Sequence, residues 1–181
     1  GVNTGTSALH MALLAADIGP GDEVITVPFT FVATVAAIHY TGATPVLVDI
    51  DPRTFTMDPV LVEAAITPRT KAIMPVHLYG QCCDMDPILA IARKHKLTVI
   101  EDAAQSMGGV KDNQMCGAFG HVAGTSFYPA KPLGCYGDGG AMFTNDAALA
   151  ETLRSYAFHG KGAHQYDNIH VGINSRLDTM Q

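Results

Sequence analysis

Short apolar runs that end in polar or turn residues alternate along this chain with stretches of helical spacing. That alternation restricts the architectures open to it more than any single motif does. The strand candidates are Glu23–Thr26, Pro45–Asp49, Lys71–Val76, Thr98–Asp102, Ala123–Phe127 and Ala141–Thr144. The helical candidates are Thr6–Ala16, Phe31–Tyr40, Pro59–Ala65, Asp86–His95 and Ala147–Phe158. In the first of these, the helical apolar spacing rests on Leu9, Leu13 and Leu14, with Ala8 and Ala12 beside them. Elements in this order predict a three-layer α/β/α domain with a mostly parallel sheet covered on both faces. Val2 reads as the tail of one further strand, which makes about seven. The last strand follows a glycine-rich loop instead of a helix, so an antiparallel direction is expected for it. A hydrophobic share of 48% against 15% charged residues agrees with a sheet buried on both sides. At 181 residues the chain suits one domain, which can bury roughly 70% of its unfolded-chain surface without staples.

Charge and cysteine usage narrow the function classes. A net charge of -6 argues against a protein that coats nucleic acid. No apolar run reaches the length of a membrane span, and no signal peptide is visible. Cys82, Cys83, Cys116 and Cys135 form no CxxC pair, and no Cys/His group has zinc-ligand spacing. No metal is therefore expected, and the cysteine pattern fits a reducing cytoplasm. The chain starts at Gly1 without methionine and ends in Arg176–Gln181, which reads as the beginning of a helix. A piece of a longer protein is expected.

In open α/β sheets, ligands bind outside the carboxyl ends of the strands. That rule gathers residues that are far apart in sequence. Phe31 follows the strand ending near Thr26, and His77 follows the one ending at Val76. Asp102 ends its own strand, and Ser126 ends the strand that leads to Lys131.

Each of these residues has two readings. Lys131 lies between Pro129-Ala130 and Pro132, with Tyr136-Gly137-Asp138-Gly139-Gly140 following, so it sits on a constrained turn. It is either a Schiff-base nucleophile for a carbonyl or a loop charge. Asp102 either caps the next helix or holds the charge on a protonated heterocyclic nitrogen. Gly5-Thr6-Ser7 opens a helix with hydroxyls and free N–H groups, which makes either a simple N-cap or a phosphate site. Phe31 is either core or a surface that stacks on a flat ring, a contact worth about 1 kcal/mol beyond its buried area. His77 and His159 are either acid–base groups or structural histidines. No GxGxxG follows a strand and no GxxxxGK[ST] is present, which argues against a nicotinamide oxidoreductase and a P-loop enzyme.

These residues belong to six segments: GTSAL (Gly5–Leu9), PFTFVAT (Pro28–Thr34), PVHLYGQ (Pro75–Gln81), EDAAQS (Glu101–Ser106), SFYPAKPLGCYGDGG (Ser126–Gly140) and GINSRL (Gly172–Leu177). In this order they resemble the sugar-nucleotide aminotransferases of the pyridoxal-phosphate-dependent, fold-type-I class, the DegT/DnrJ/EryC1/StrS group. The likeness covers essentially the whole chain. It implies that residues 1–181 are the large, pyridoxal 5'-phosphate-binding domain, without the family's N-terminal arm and C-terminal small domain. It implies Lys131 as the Schiff-base lysine and Asp102 as the partner of the pyridine nitrogen. Gln105 would approach the ring hydroxyl, Phe31 would stack on the ring, and Thr6, Ser7 and Ser126 would bind the phosphate. Asn174 matches a family asparagine that reaches the phosphate of a neighbouring subunit, which implies a homodimer with shared active sites. Arg176 and His77 would meet the sugar nucleotide.

The segments KPLGCYGDGGAMFTND and VGINSRLDTMQ look most like enzymes that aminate a UDP-linked 2-acetamido-3-keto-glucuronic acid. The implied amino donor is glutamate. The implied setting is lipopolysaccharide O-antigen synthesis in the cytoplasm, with no nucleic-acid or membrane partner. Two other readings keep the fold. Sugar dehydratases of the family carry histidine where this chain has Lys131. A binding or regulatory protein would have no need of the lysine.

Overall fold

Adjacent residues of the central strands enter opposite cores. Val24, Ala72 and Ile100 join one buried cluster, with Leu9, Met11, Leu13 and Ile38. Their neighbours Ile25, Ile73 and Val99 join the other, with Met85, Ile88 and Val62. A pleated strand sends successive side chains to opposite faces, so near-continuous apolar runs are what a sheet covered on both sides requires. The computed structural model describes residues 1–164 and 166–181.

The elements run α1 (Gly5–Ala15), β1 (Glu23–Thr26), α2 (Ala33–Tyr40), β2 (Thr44–Leu47), α3 (Pro59–Ala64), β3 (Thr70–Ile73), α4 (Met85–His95) and β4 (Thr98–Asp102). Then come β5 (Val110–Lys111), β6 (Gln114–Met115), β7 (Val122–Ser126), β8 (Gly140–Phe143) and α5 (Ala147–Ala157). The main sheet has the order β2-β1-β3-β4-β7-β8. Its pairs are parallel except β7 with β8, as the helix-free connection predicts. The α/β/α expectation holds.

Several boundaries and three elements differ from the sequence expectation. The sheet has six strands instead of about seven, because Val2 makes only a single antiparallel bridge to Gly140 beyond β8. Helix α2 begins at Ala33, so Phe31 lies in the loop before it. Arg176–Gln181 is not helical. Asp178 accepts the Met180 N–H on its side chain (3.0 Å) and the Gln181 N–H on its carbonyl (3.1 Å), a local turn that competes with helix formation. The β5–β6 hairpin was not foreseen. Its two turn residues, Asp112 and Asn113, both have positive φ (51° and 62°), the conformation of a tight hairpin turn.

Helix α1 is pressed onto β7. A Cβ on Gly124 would stand 2.9 Å from Leu9 Cδ2, and one on Gly5 would stand 2.7 Å from Ser126 Cβ. Glycine at both places lets the start of α1 approach the end of β7, which sets Thr6 beside Ser126. Among the described residues, no helix is long and apolar enough to cross a membrane.

Candidate active site

The carboxyl ends of β1, β3, β4 and β7 open into a cavity of about 440 Å³, whose lining includes Thr6, Phe31, Asp102, Gln105, Ser126 and Lys131. Asp102, the last residue of β4, is 5% exposed. Thr34 Oγ1 donates to its Oδ2 at 2.6 Å, and the Ala104 N–H donates to Oδ1 at 3.2 Å. Thr30 Oγ1 lies 2.7 Å from Thr34 Oγ1. Since Thr34 spends its proton on Asp102, Thr30 is the donor in that contact. Burial pushes the Asp102 pKa up, against the hydrogen bonds from Thr34 and Ala104 and the charge of Lys131. Its carboxylate makes no ion pair among the described residues. A carboxylate so desolvated calls for a cation in the space before it.

That shift has a consequence for stability. A folded pKa above the unfolded value stabilises the fold fully at pH below the unfolded value, and the contribution disappears as pH rises through the folded value. In cofactor-free full-length protein, Asp102→Asn is therefore expected to raise stability at pH 8 by about 1 kcal/mol. The gain should shrink toward zero below about pH 4. Urea midpoints at the two pH values measure it, and a variant less stable than the parent at pH 8 would contradict the desolvation argument.

Lys131 is carried on a pinned loop. Its own N–H bonds Tyr128 O (2.8 Å), and Cys135 returns both its N–H (2.8 Å) and its thiol (2.9 Å) to Phe127 O. The Phe127 N–H bonds Gly139 O at 2.8 Å. The ammonium of Lys131 makes no ion pair among the described residues. Phe31 is 65% exposed, and its start-of-helix loop presents it to the cavity instead of the core.

At the start of α1, Thr4 is the N-cap: its Oγ1 accepts the Ser7 N–H (3.0 Å) and donates to Ser7 Oγ (3.0 Å). Ser7 is thus held back by Thr4 and does not line the cavity, whereas Thr6 does. Ser126 Oγ accepts the Tyr128 N–H at 3.3 Å, and Gln105 Oε1 accepts the Tyr79 N–H at 3.0 Å. Thr4, Thr30, Thr34 and Asp138 were not singled out from the sequence. Thr4 carried a legible signal, being an N-cap residue type one step before Gly5.

Four further candidate residues lie elsewhere. His77 is fully buried and does not line the cavity. Its Nε2 is 2.7 Å from Glu101 Oε2, and its Nδ1 accepts the Cys83 N–H at 3.1 Å. An accepting Nδ1 carries no proton, so the ring's proton sits on Nε2 and is donated to Glu101. A substrate contact through His77 is not available in this arrangement. The backbone explains why: the His77 N–H bonds Asp102 O (3.1 Å), which turns the side chain in beneath the rim.

Asn174 and Arg176 border a separate surface depression. Arg176 Nε donates to Asn174 Oδ1 at 3.0 Å, and its guanidinium stands 5.0 Å from the centre of the Phe158 ring. His159 follows α5, with its N–H on Ile173 O (3.0 Å), and is also outside the cavity lining.

Glu101 is a further residue that sequence reasoning missed. One position before Asp102 and fully buried, it accepts the N–H groups of Gly117 (2.8 Å), Phe119 (2.8 Å) and Gly120 (2.5 Å) as well as His77. The ligand atoms of His77, Cys82 and Cys116 lie within 4.8 Å of one another. Both His77 nitrogens are already engaged, and burial raises the Cys82 pKa, which disfavours the thiolate that a soft metal needs.

The family model described as the DegT/DnrJ/EryC1/StrS aminotransferase family matches residues 1–181. The chain is 59% identical over 177 residues to a UDP-2-acetamido-2-deoxy-3-oxo-D-glucuronate aminotransferase of Pseudomonas aeruginosa, covering 98% of this chain and 49% of the relative. It is 55% identical over 181 residues to a pleiotropic regulatory protein of Geobacillus stearothermophilus, covering 100% of this chain and 48% of the relative. A crystal structure of NtdA from Bacillus subtilis with bound cofactor PMP superposes with a TM-score of 0.94 at 40% identity, covering 99% of this chain and 41% of that one. The chain thus spans about half the length of the curated relatives it matches.

Proposed function

Because the chain belongs to the DegT/DnrJ/EryC1/StrS aminotransferase family, we propose that residues 1–181 are the cofactor-binding large domain of a pyridoxal-phosphate-dependent aminotransferase. The full-length enzyme moves an amino group from glutamate to a keto-sugar nucleotide. The substrate we favour is a UDP-linked 3-keto-2-acetamido-glucuronic acid, made in the cytoplasm for O-antigen or related polysaccharide. The 59% identity to an aminotransferase named for that sugar supports it. The observation that carries the reaction class is the buried Asp102 carboxylate sharing one cavity with Lys131.

The residues present fit the cofactor. Asp102 is an anion in a desolvated place and pairs with a protonated ring nitrogen. Phe31 offers an exposed aromatic face for the ring. The free N–H groups at the start of α1, with the hydroxyls of Thr6 and Ser126, make an anion site for the phosphate. Ser7 contributes through Thr4, which it helps hold in the capping position. Gln105, which lines the same cavity, would meet the ring's hydroxyl. When bound, the cofactor supplies an electron sink that acidifies the C–H beside the transferred nitrogen.

Lys131 Nζ does the proton work. Unpaired among the described residues and on a loop pinned by backbone bonds, it would take the proton from the substrate Cα and return it to the carbon on the other side of the transferred nitrogen. Thr34 and Thr30 steady the Asp102 carboxylate during this exchange. Asn174 and Arg176, outside this chain's own cavity, serve the site of a second subunit in a homodimer, with Arg176 meeting an anionic part of the nucleotide.

The presence of Lys131 argues against a dehydratase of the same family, where histidine takes its place. The relative named as a regulatory protein is the one observation favouring a non-enzymatic reading. Nitrogen transfer separates the two. Full-length protein is expected to move label from [15N]glutamate into a UDP-linked 3-keto sugar. Label that leaves glutamate but enters no member of a keto-sugar nucleotide panel would sink the substrate class. Label that never leaves glutamate would sink the enzymatic reading.

A further inference from the structure

Phe29, Phe55 and Tyr79 follow β1, β2 and β3, three adjacent strands, on the carboxyl-end rim of the sheet. Their rings form one patch. The Phe29 and Phe55 centroids are 6.1 Å apart with planes at 49°, and those of Phe29 and Tyr79 are 6.3 Å apart at 79°. Exposure is 40%, 54% and 78% in that order, so core packing does not account for them.

Two of the three also have left-handed backbone, Phe55 at φ 58° and Tyr79 at φ 54°. Bulky side chains seldom adopt this conformation, and it persists only where the surroundings impose it, commonly at ligand sites. Here they do. The Phe55 N–H bonds Asp51 O (2.8 Å), the Asp51 N–H bonds Thr56 O (2.9 Å), and buried Met57 bridges back to Ile50. Tyr79 sits inside the single turn Leu78–Gly80, closed by Gln81 N–H to Leu78 O (3.0 Å).

The patch also continues the cavity of Lys131. Phe29 immediately precedes Thr30 and Phe31, both of which line that cavity. The Tyr79 N–H is held by Gln105, another lining residue. A ligand reacting at Lys131 and extending past Phe31 toward β1 and β2 meets these rings next. In a sugar nucleotide, two phosphates and a ribose separate the reacting sugar from the base, so the base is the part that lies furthest along this path.

We propose that Phe29, Phe55 and Tyr79 form the nucleobase subsite of the acceptor, a stacking surface for the uracil of a uridine-diphosphate sugar. The inference rests on the sugar-nucleotide reading given above and adds where the nucleotide binds. An uncharged aromatic surface gains from the π-face of a base and offers nothing to glutamate, so it separates the two substrates that share the site.

The test uses full-length holoenzyme with Tyr79→Asn and Phe55→Asn. Asparagine tolerates left-handed backbone, so each variant removes a ring while easing local strain. Free UDP is the probe, as a competitive inhibitor against the keto-sugar nucleotide. Each variant is expected to weaken UDP about tenfold and to raise KM for the sugar nucleotide alike, with kcat and the glutamate half-reaction unchanged. Unaltered UDP inhibition in a variant with an intact glutamate half-reaction overturns the subsite. So does loss of the dimer by sedimentation with both half-reactions falling together, which would make the patch a subunit contact. If the parent protein takes no nitrogen from glutamate, the aminotransferase reading fails first. Calorimetry of UDP binding to parent and variants then decides the patch by itself, equal affinity counting against it and tenfold weaker binding for it.

Discussion

Lys131→Ala is expected to lower transamination by the full-length protein roughly 10⁴-fold, by removing the one amine positioned to carry the proton. The fold should survive the change. The loop is held by the bonds from Cys135 to Phe127, from Phe127 to Gly139 and from Lys131 N–H to Tyr128, none of which uses the lysine side chain. Single-turnover rates of both half-reactions measure the effect, and both should fall, because the same amine serves each. Borohydride treatment of the parent protein should fix cofactor to the peptide containing Lys131 and should fix none in the variant. Circular dichroism should be superimposable. Full transamination by the alanine variant would remove Lys131 from the mechanism.

Glu101→Ala should damage the fold and not the chemistry, with a loss of about 3–5 kcal/mol in stability. The side chain is fully buried and receives four donors: Gly117, Phe119, Gly120 and His77. Alanine takes the acceptor from all four, two of them in fully buried contacts, and each stranded buried donor costs its desolvation. The consequence should extend to the active site, because Asp102 is the next residue on the same strand and its carbonyl holds the His77 N–H. Urea unfolding of the full-length protein measures the loss. Glu101→Gln should recover part of it, since an amide oxygen can still accept while the NH2 faces donors. A change under ~1 kcal/mol for alanine would mean that Glu101 is not the hub of this network.

These two residues also mark where sequence reading worked and where it stopped. Lys131 was legible because its constraint is local. Proline before and after it and glycines beyond announce a fixed turn, whatever the rest of the chain does. Asp102 was legible for a similar reason, as an acid closing an apolar strand, and the structure seats both in one cavity with Thr6, Phe31, Gln105 and Ser126.

Glu101, one residue away, was passed over, because its importance comes from the loop at 117–120, brought to it only by the fold. His77 was read as a rim residue from its place after a strand, but a backbone bond to Asp102 turns it inward. Ser7 looked equivalent to Thr6 until the true cap, Thr4, claimed it. The helix expected at Arg176–Gln181 gave way to a turn formed by Asp178. Two residues at positive φ disclosed the short hairpin after β4, and neighbours in space disclosed the aromatic patch.

By itself, then, the sequence determined the alternation of strands and helices, the burial of the sheet on both faces, the place of Asp102 at a strand end and that of Lys131 on a fixed turn. Hydrophobic period and turn chemistry are properties of a few consecutive residues, and they act before any distant contact forms. Only the tertiary structure decided the order β2-β1-β3-β4-β7-β8, the inward turn of His77 onto Glu101, and the separation of Asn174 and Arg176 from the cavity of Lys131. Those outcomes depend on which strands become neighbours and on which buried donor meets which acceptor. Such pairings are fixed by the whole packed core, and no short stretch of sequence contains both partners.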